Sequence, residues 1–145
     1  MICQNLVEEL EEAYAKQIDH FSDRMVTCIT QVEKMHELLL PTPFLSAVID
    51  DCLSKGQDVT HGGARYNFAG VQAIQIANVA DSLAAIKLLV YDEKQLSAQE
   101  LLHALQTNFE DAPLVRTMLL SKAPKYGNDV QWVDELGAKW ANYFA

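Results

Sequence analysis

The first forty residues contain neither proline nor glycine, and apolar side chains recur through them at spacings of three and four. Leu6, Leu10, Ala13, Ile18, Phe21, Met25, Cys28, Val32 and Met35 share the period of one helix face. The pattern predicts a single long helix over residues 5–38, stopped by Pro41. A lone helix gains little in water, so this stripe requires a partner. Glu8, Glu9, Glu11 and Glu12 crowd the start, the end of a helix where the macrodipole favours negative charge.

The remainder reads as shorter helices around one break. Thr42-Pro43 has the form of an N-cap followed by proline at the first helical position. A helix bearing Phe44, Leu45, Val48, Ile49, Cys52 and Leu53 follows, with Gly56 placed to end it in a left-handed conformation. Residues 57–68 lose the helical period and contain the pair Gly62-Gly63, which permits close backbone approach. They read as a loop with at most one or two short strands. Helical pattern returns over residues 70–90, rich in small residues that let neighbours pack closely. Ser97-Ala-Gln-Glu100 is a capping box, Pro113 opens a further helix through Leu120, residues 123–128 form a loop, and Asp129 is placed to cap a last helix carrying Val130, Val133, Leu136, Trp140 and Phe144. The fold class is mainly α, in one domain over residues 1–145 without an internal boundary.

Charge narrows the partners. Twenty acids against 11 bases give a net charge of −9, which repels phosphate backbones and anionic lipid, so neither nucleic acid nor membrane is expected as a partner. The weakly polar stretch 71–90 is interrupted by Gln72, Gln75, Asn78, Asp81 and Lys87 and is too polar to span a bilayer. Met1 to Leu10 carries acids where a leader would carry bases. Cys3, Cys28 and Cys52 are odd in number and show no metal or redox spacing, so they read as reduced thiols, two of them on apolar helix faces, in a cytoplasmic protein.

Chemistry-bearing motifs are scarce. His20, His36, His61 and His103 have no second ligand at a recognised metal spacing, so no metal is expected. Neither GxGxxG nor GxxxxGK[ST] nor G-x-S-x-G occurs. His61 differs from the other histidines because it precedes two glycines in a loop, where sites concentrate. With Tyr66 and Asn67 it supplies an imidazole, a ring hydroxyl and an amide able to orient a small polar substrate. These three are the substrate-pocket candidates. The alternative is structural: a tight glycine turn, Tyr66 and Phe68 packed in the core, and Arg65 paired with an acid. No catalytic residue is assignable.

A set of motif runs in register changes what can be concluded. Pro41-Thr-Pro-Phe-Leu-Ser-Ala47, Gly56 with Asp58-Val-Thr60, Gly62-Gly-Ala-Arg-Tyr-Asn-Phe68, Ala80-Asp-Ser-Leu-Ala-Ala-Ile-Lys87 and Lys122-Ala-Pro-Lys-Tyr-Gly-Asn-Asp129 resemble, in order and spacing, motifs of the glycyl radical enzymes of the pyruvate formate-lyase and glycerol dehydratase type. The resemblance covers nearly the whole chain and is strongest over residues 41–129. It points to the branch of dehydratases, decarboxylases and lyases, members of which often carry the label formate acetyltransferase.

The resemblance implies a helical part of a larger α/β barrel enzyme. In that family a glycyl radical meets a cysteine on a second loop, and the resulting thiyl radical abstracts hydrogen from a small substrate, leading to cleavage of a C–C, C–O or C–N bond. The glycine is activated by a separate S-adenosylmethionine iron–sulfur enzyme, so no cofactor is expected on this chain itself. The family's Cys-x-Glu loop would lie before Met1 and its Arg-Val-x-Gly-Tyr loop after Ala145. None of Cys3, Cys28 and Cys52 is followed by x-Glu, so neither radical-bearing residue carries over. The expected partner is the remainder of such an enzyme, with self-association through exposed apolar faces as a further consequence. The alternative reading is a non-catalytic helical interaction module or a subunit of a split enzyme.

Overall fold

A computed structural model describes the backbone of residues 2–145 and the side chains from Val7 onward. Helix dominates it, and there is no strand among the described residues. The long helix is present as α1 (Ile2–Leu39). It opens three residues earlier than the apolar pattern suggests, so the acidic cluster falls beyond its first turn, where the macrodipole has largely faded. Glu11 instead meets Lys139, with Nζ 2.6 Å from Oε2. Leu6 and Cys3 belong to the side chains outside the described set. The chain's contacts fall into two compact units, one of residues 1–13 and 73–145, the other of residues 14–72.

The larger unit contains α4 (Ile76–Ile86), α5 (Ala98–Gln106), α6 (Pro113–Ser121) and α7 (Gln131–Phe144). Small residues on α4 do what their size permits: Ala80 and Ala84 are fully buried against Val133 of α7, flanked by Val130, Trp132 and Leu136. A second cluster joins Val90, Leu96 and Leu101 to Ile86, Tyr91, Val115, Met118 and Leu119. Between them the chain widens into a π-helix at Lys87–Asp92. Its wider turn is visible in Glu93 N donating to Leu88 O and in the Lys87–Asp92 ion pair, both spaced five residues apart. The consecutive residues Leu89 and Val90 are both buried there, and the Lys87 ammonium also lies over the Trp132 ring.

Start signals succeed unevenly. The capping box is complete, since Ser97 Oγ accepts from Glu100 N and Glu100 Oε2 accepts from Ser97 N. Pro113 opens α6 as its missing N–H allows. The helix expected from residue 70 begins only at Ile76, because Gln75 takes a left-handed φ of 69° and breaks the path. Asp129 does not cap α7. It sits outside the cap at φ 60°, Val130 is the cap residue, and no side chain closes that end.

The smaller unit contains most of α1, then α2 (Pro43–Val48) and α3 (Cys52–Lys55). The single helix expected here is broken because Ile49 is extended and Asp51 is left-handed at φ 74°. Arg65 holds that break by a two-pronged contact on Asp51, Nε to Oδ2 at 3.1 Å and Nη2 to Oδ1 at 2.9 Å. Gly56 ends α3 at φ 65°, as its position suggests.

Burial ranks the side chains that hold the larger unit. Leu89 has no exposed surface, whereas Leu114 on α6 is 83% exposed. Leu89→Ala is expected to cost about 2–5 kcal/mol, and Leu114→Ala less than about 0.5 kcal/mol. Denaturant melts of the two variants check the difference.

Candidate functional site

The break at residues 57–68 is organised by one carboxylate. Asp58 closes a 3-10 turn at Val59–His61 by accepting from Thr60 N at 2.9 Å and from the Thr60 hydroxyl at 2.7 Å, both at Oδ1. Its Oδ2 accepts from Thr42 N at 2.9 Å and from the Ser46 hydroxyl at 2.8 Å. The Thr42 hydroxyl stands 3.4 Å from Oδ1. Ser46, buried on α2, also accepts from Val59 N at 2.9 Å. So the start of α2 is capped from a distance, by Asp58, and not by the Thr42 side chain. A short turn is satisfied here where a strand would have left these donors to a ladder.

These donors fix the protonation state of Asp58. The Thr60 hydroxyl, its backbone N–H, Ser46 and Thr42 N together hold the carboxyl well below the usual carboxylate range, against the opposing effect of burial. An anion whose lone pairs are already engaged by five donors has none free for a substrate proton or a metal. Asp58 is therefore a structural anchor.

Glycine is required beside it. A Cβ on Gly63 would run into the carbonyl oxygen of Gln57 and lie 2.9 Å from that of Asp58. Gly63 N donates to Asp58 O, and Lys55 Nζ donates to Gly63 O at 3.1 Å. Gly62 takes φ 79°, the left-handed region that only glycine enters freely.

Two of the three pocket candidates come together. His61 Nδ1 lies 2.8 Å from Glu37 Oε1, tying the turn to the last turns of α1. His61 and Asn67 line a groove of about 490 Å³, with Lys34, Glu37 and Thr60 among its other walls. Tyr66 is not part of that lining. Tyr66 is 75% exposed, and its ring stacks on Phe68 at 6.3 Å between centroids. Of the structural alternative, Arg65 does pair with an acid, but neither Tyr66 nor Phe68 enters the core. Of this set, Thr42 is legible in the sequence as the cap of α2, while Ser46 and Asp58 stand only within the motif runs. The readable signal was Asp-x-Thr, a side chain placed to bond the backbone two residues on.

No set of three or more His, Cys, Asp or Glu among the described residues is arranged to hold a metal ion. Cys28 is exposed and Cys52 is buried, and both are free thiols.

A second anchoring set lies in the larger unit. Asp81 on α4 accepts from Tyr126 N at 2.7 Å, and Asp134 on α7 accepts from Gly127 N at 2.7 Å. The Tyr126 ring lies so close to Gly137 that a Cβ there would sit 2.7 Å from its Cδ2. The loop 123–128 is thereby tied to both helices.

Comparison with known proteins gives a consistent result. The Pyruvate formate lyase-like family model matches residues 4–145. Trans-4-hydroxy-L-proline dehydratase of Clostridioides difficile is 40% identical over 129 residues, which is 89% of this chain and 16% of that one. The (2S)-3-sulfopropanediol dehydratase of Klebsiella oxytoca is 37% identical over 130 residues, again 89% of this chain and 16% of the relative. The B12-independent glycerol dehydratase of Clostridium butyricum, solved with glycerol bound, superposes with a TM-score of 0.83 at 36% identity, covering 95% of this chain and 17% of that one. The chain thus spans about a sixth of the length of the relatives it matches.

The Asp58 anchor has a pH signature. A carboxyl depressed in the folded state contributes stability that is present above its ordinary value of 3.8 and is lost as pH falls through the lower folded value. Thermal melts of the wild type are expected to hold level from pH 7 to about 5 and to decline in stronger acid. Asp58→Asn is expected to melt lower than wild type at pH 7 and to decline less steeply below pH 3.8.

Proposed function

Because the chain belongs to the pyruvate formate lyase-like family of glycyl radical enzymes, we propose that it is a scaffold portion of a dehydratase or lyase of that family and carries none of the radical-bearing residues itself. The observation that supports this most is the pairing of full coverage of this chain with partial coverage of its relatives, 95% against 17% for the glycerol dehydratase structure. The relatives named above act on small hydroxylated compounds, so the substrate proposed for the whole enzyme is of that class.

In that enzyme the thiyl radical would come from a cysteine, and the stored radical from a glycine activated by an S-adenosylmethionine iron–sulfur protein. The residues of this chain do not fit either role. Cys52 is buried, Cys28 is exposed on α1, and neither is followed by x-Glu. What the chain contributes is form. It holds residues 61–67 in a fixed course by way of Asp58 and Gly63, and it presents the His61 imidazole, the Asn67 amide and the Tyr66 hydroxyl for contact with a polar substrate. The cytoplasm is the proposed compartment. No described helix is long and apolar enough to cross a membrane.

A second reading, a helical interaction module or split-enzyme subunit, draws on the exposed apolar surface of the smaller unit. Leu38, Leu39 and Leu40 are 73%, 65% and 60% exposed, and Phe44 is 86% exposed. Such surface favours self-association of the isolated chain. Sedimentation separates the readings: a monodisperse monomer that binds no hydrophobic dye marks a self-sufficient module.

Two outcomes test the scaffold reading. The isolated chain, incubated with a glycyl radical activating enzyme and S-adenosylmethionine, is expected to give no glycyl-type doublet in electron paramagnetic resonance. In a complete enzyme carrying this sequence, Tyr66→Phe and Asn67→Ala are expected to lower turnover by about tenfold or more, the scale of one lost substrate hydrogen bond, with melting temperature and radical yield kept. Stability lost in step with activity would make the segment structural only.

A further inference from the structure

The stretch between the Gly63 anchor and α4 has no structure of its own and is not buried either. Residues 67–72 contain no helix, turn or bend, and every one of them is exposed. None of the backbone N–H or C=O groups of residues 64–72 pairs with backbone elsewhere among the described residues. Yet the composition is not that of a solvated loop. Phe68 is 86% exposed and Val71 40%. The rings of Tyr66 and Phe68, two residues apart, stack at an interplanar angle of 28°, which requires both to stand on the same side of the backbone. That is the two-residue period of a strand. An open backbone with unpaired groups and exposed aromatic and β-branched side chains is the form a chain takes before it joins a sheet.

We infer that residues 67–72 are a β-strand awaiting its sheet, and that the sheet edge it joins belongs to the portion of a family enzyme that this chain does not span. The inference rests on the scaffold reading above. Two features favour that occupant over a second copy. The relatives are about six times longer than the stretch they share with this chain, 16% of the relative in each dehydratase match, so ample sheet-forming sequence lies outside the shared part. The anchors at both ends are internal to the chain. The Arg65–Asp51 contact and the Asp58 cradle precede the stretch, and Gln75 with α4 follows it. Each flanking segment is thus ordered within its own unit without help from a second copy, while the stretch between them has no backbone partner among the described residues. Gly70, with nothing within 4 Å of where a Cβ would stand, leaves one place where an adjoining backbone can come close. Pairing would also cover the Phe68 ring and fix Tyr66 and Asn67 relative to whatever lies on each face.

Amide hydrogen exchange tests this on the full chain and on a chimera in which the chain replaces the matched segment of C. difficile trans-4-hydroxy-L-proline dehydratase. In the isolated chain the amides of residues 67–72 are expected to exchange at the rate of unstructured peptide. In the chimera they are expected to slow by about 100-fold or more, as ladder hydrogen bonds do. Ala69→Pro, which removes one donor from a strand interior, is expected to abolish that protection in the chimera while leaving the melting temperature of the isolated chain unchanged. A folded chimera with fast amides over 67–72, or protection that survives Ala69→Pro, overturns the strand inference and leaves the scaffold reading standing. A chimera that fails to fold, by circular dichroism and sedimentation, overturns both.

Discussion

The joining of α2 to the turn at residues 58–61 depends on the carboxylate of Asp58. This carboxylate touches the start of α2, the middle of α2 and the turn that follows α3, with the Ser46 hydroxyl bridging the same three places. Remove its charge and Thr42 N, Thr60 N and the Ser46 hydroxyl lose a common acceptor at once. Because the donors include backbone amides, the loss would fall on chain geometry and not on surface chemistry. The close approach of Gly63 to the carbonyls of Gln57 and Asp58 is the second half of the same device. It lets the chain turn back tightly enough for Arg65 to reach Asp51.

The same economy recurs in the larger unit, between residues of the motif runs. Asp81 and Tyr126 come from two separate motif runs and meet through a single hydrogen bond. Asp134 reaches back to Gly127, and Gly137 makes room for the Tyr126 ring. Thr42, Ser46, Asp58 and Thr60 likewise come from two runs and form one network. The residues that carry the resemblance are thus largely engaged with one another. They mostly satisfy backbone groups, which is an observation that the scaffold reading proposed above draws on. Tyr66 and Asn67 are exceptions, exposed on a stretch without helix, while His61 beside them is engaged by Glu37.

Helical periodicity made α1 legible almost to its ends, and Ser97-Glu100 and Pro113 marked two further starts, because these signals act within one or two turns. The departures occurred where a distant contact overrides local preference. No local rule predicts that Asp51 will turn left-handed and split α2 from α3, since the cause is Arg65, fourteen residues away. The late start of α4 is set by Gln75 at φ 69°, a conformation that glutamine seldom takes. The π-turn at Lys87–Asp92 follows from burying Leu89 and Val90 together, which a 3.6-residue period does not do well. At the candidate site the glycine pair marked the break in the helices, while the anchor, Asp58, stood in a motif run whose letters do not show its five donors.

The most direct measurement is made on the chimera of C. difficile trans-4-hydroxy-L-proline dehydratase that carries this chain in place of its own matched segment. Activated under anaerobic conditions, it reports in one sample both the radical yield and the dehydration of trans-4-hydroxy-L-proline. If this chain supplies form and the rest of the enzyme supplies the radical residues, the chimera accumulates the glycyl radical on the dehydratase's own glycine and retains measurable turnover. A chimera that folds to the parent's size yet neither stores the radical nor turns over substrate would contradict that division of labour.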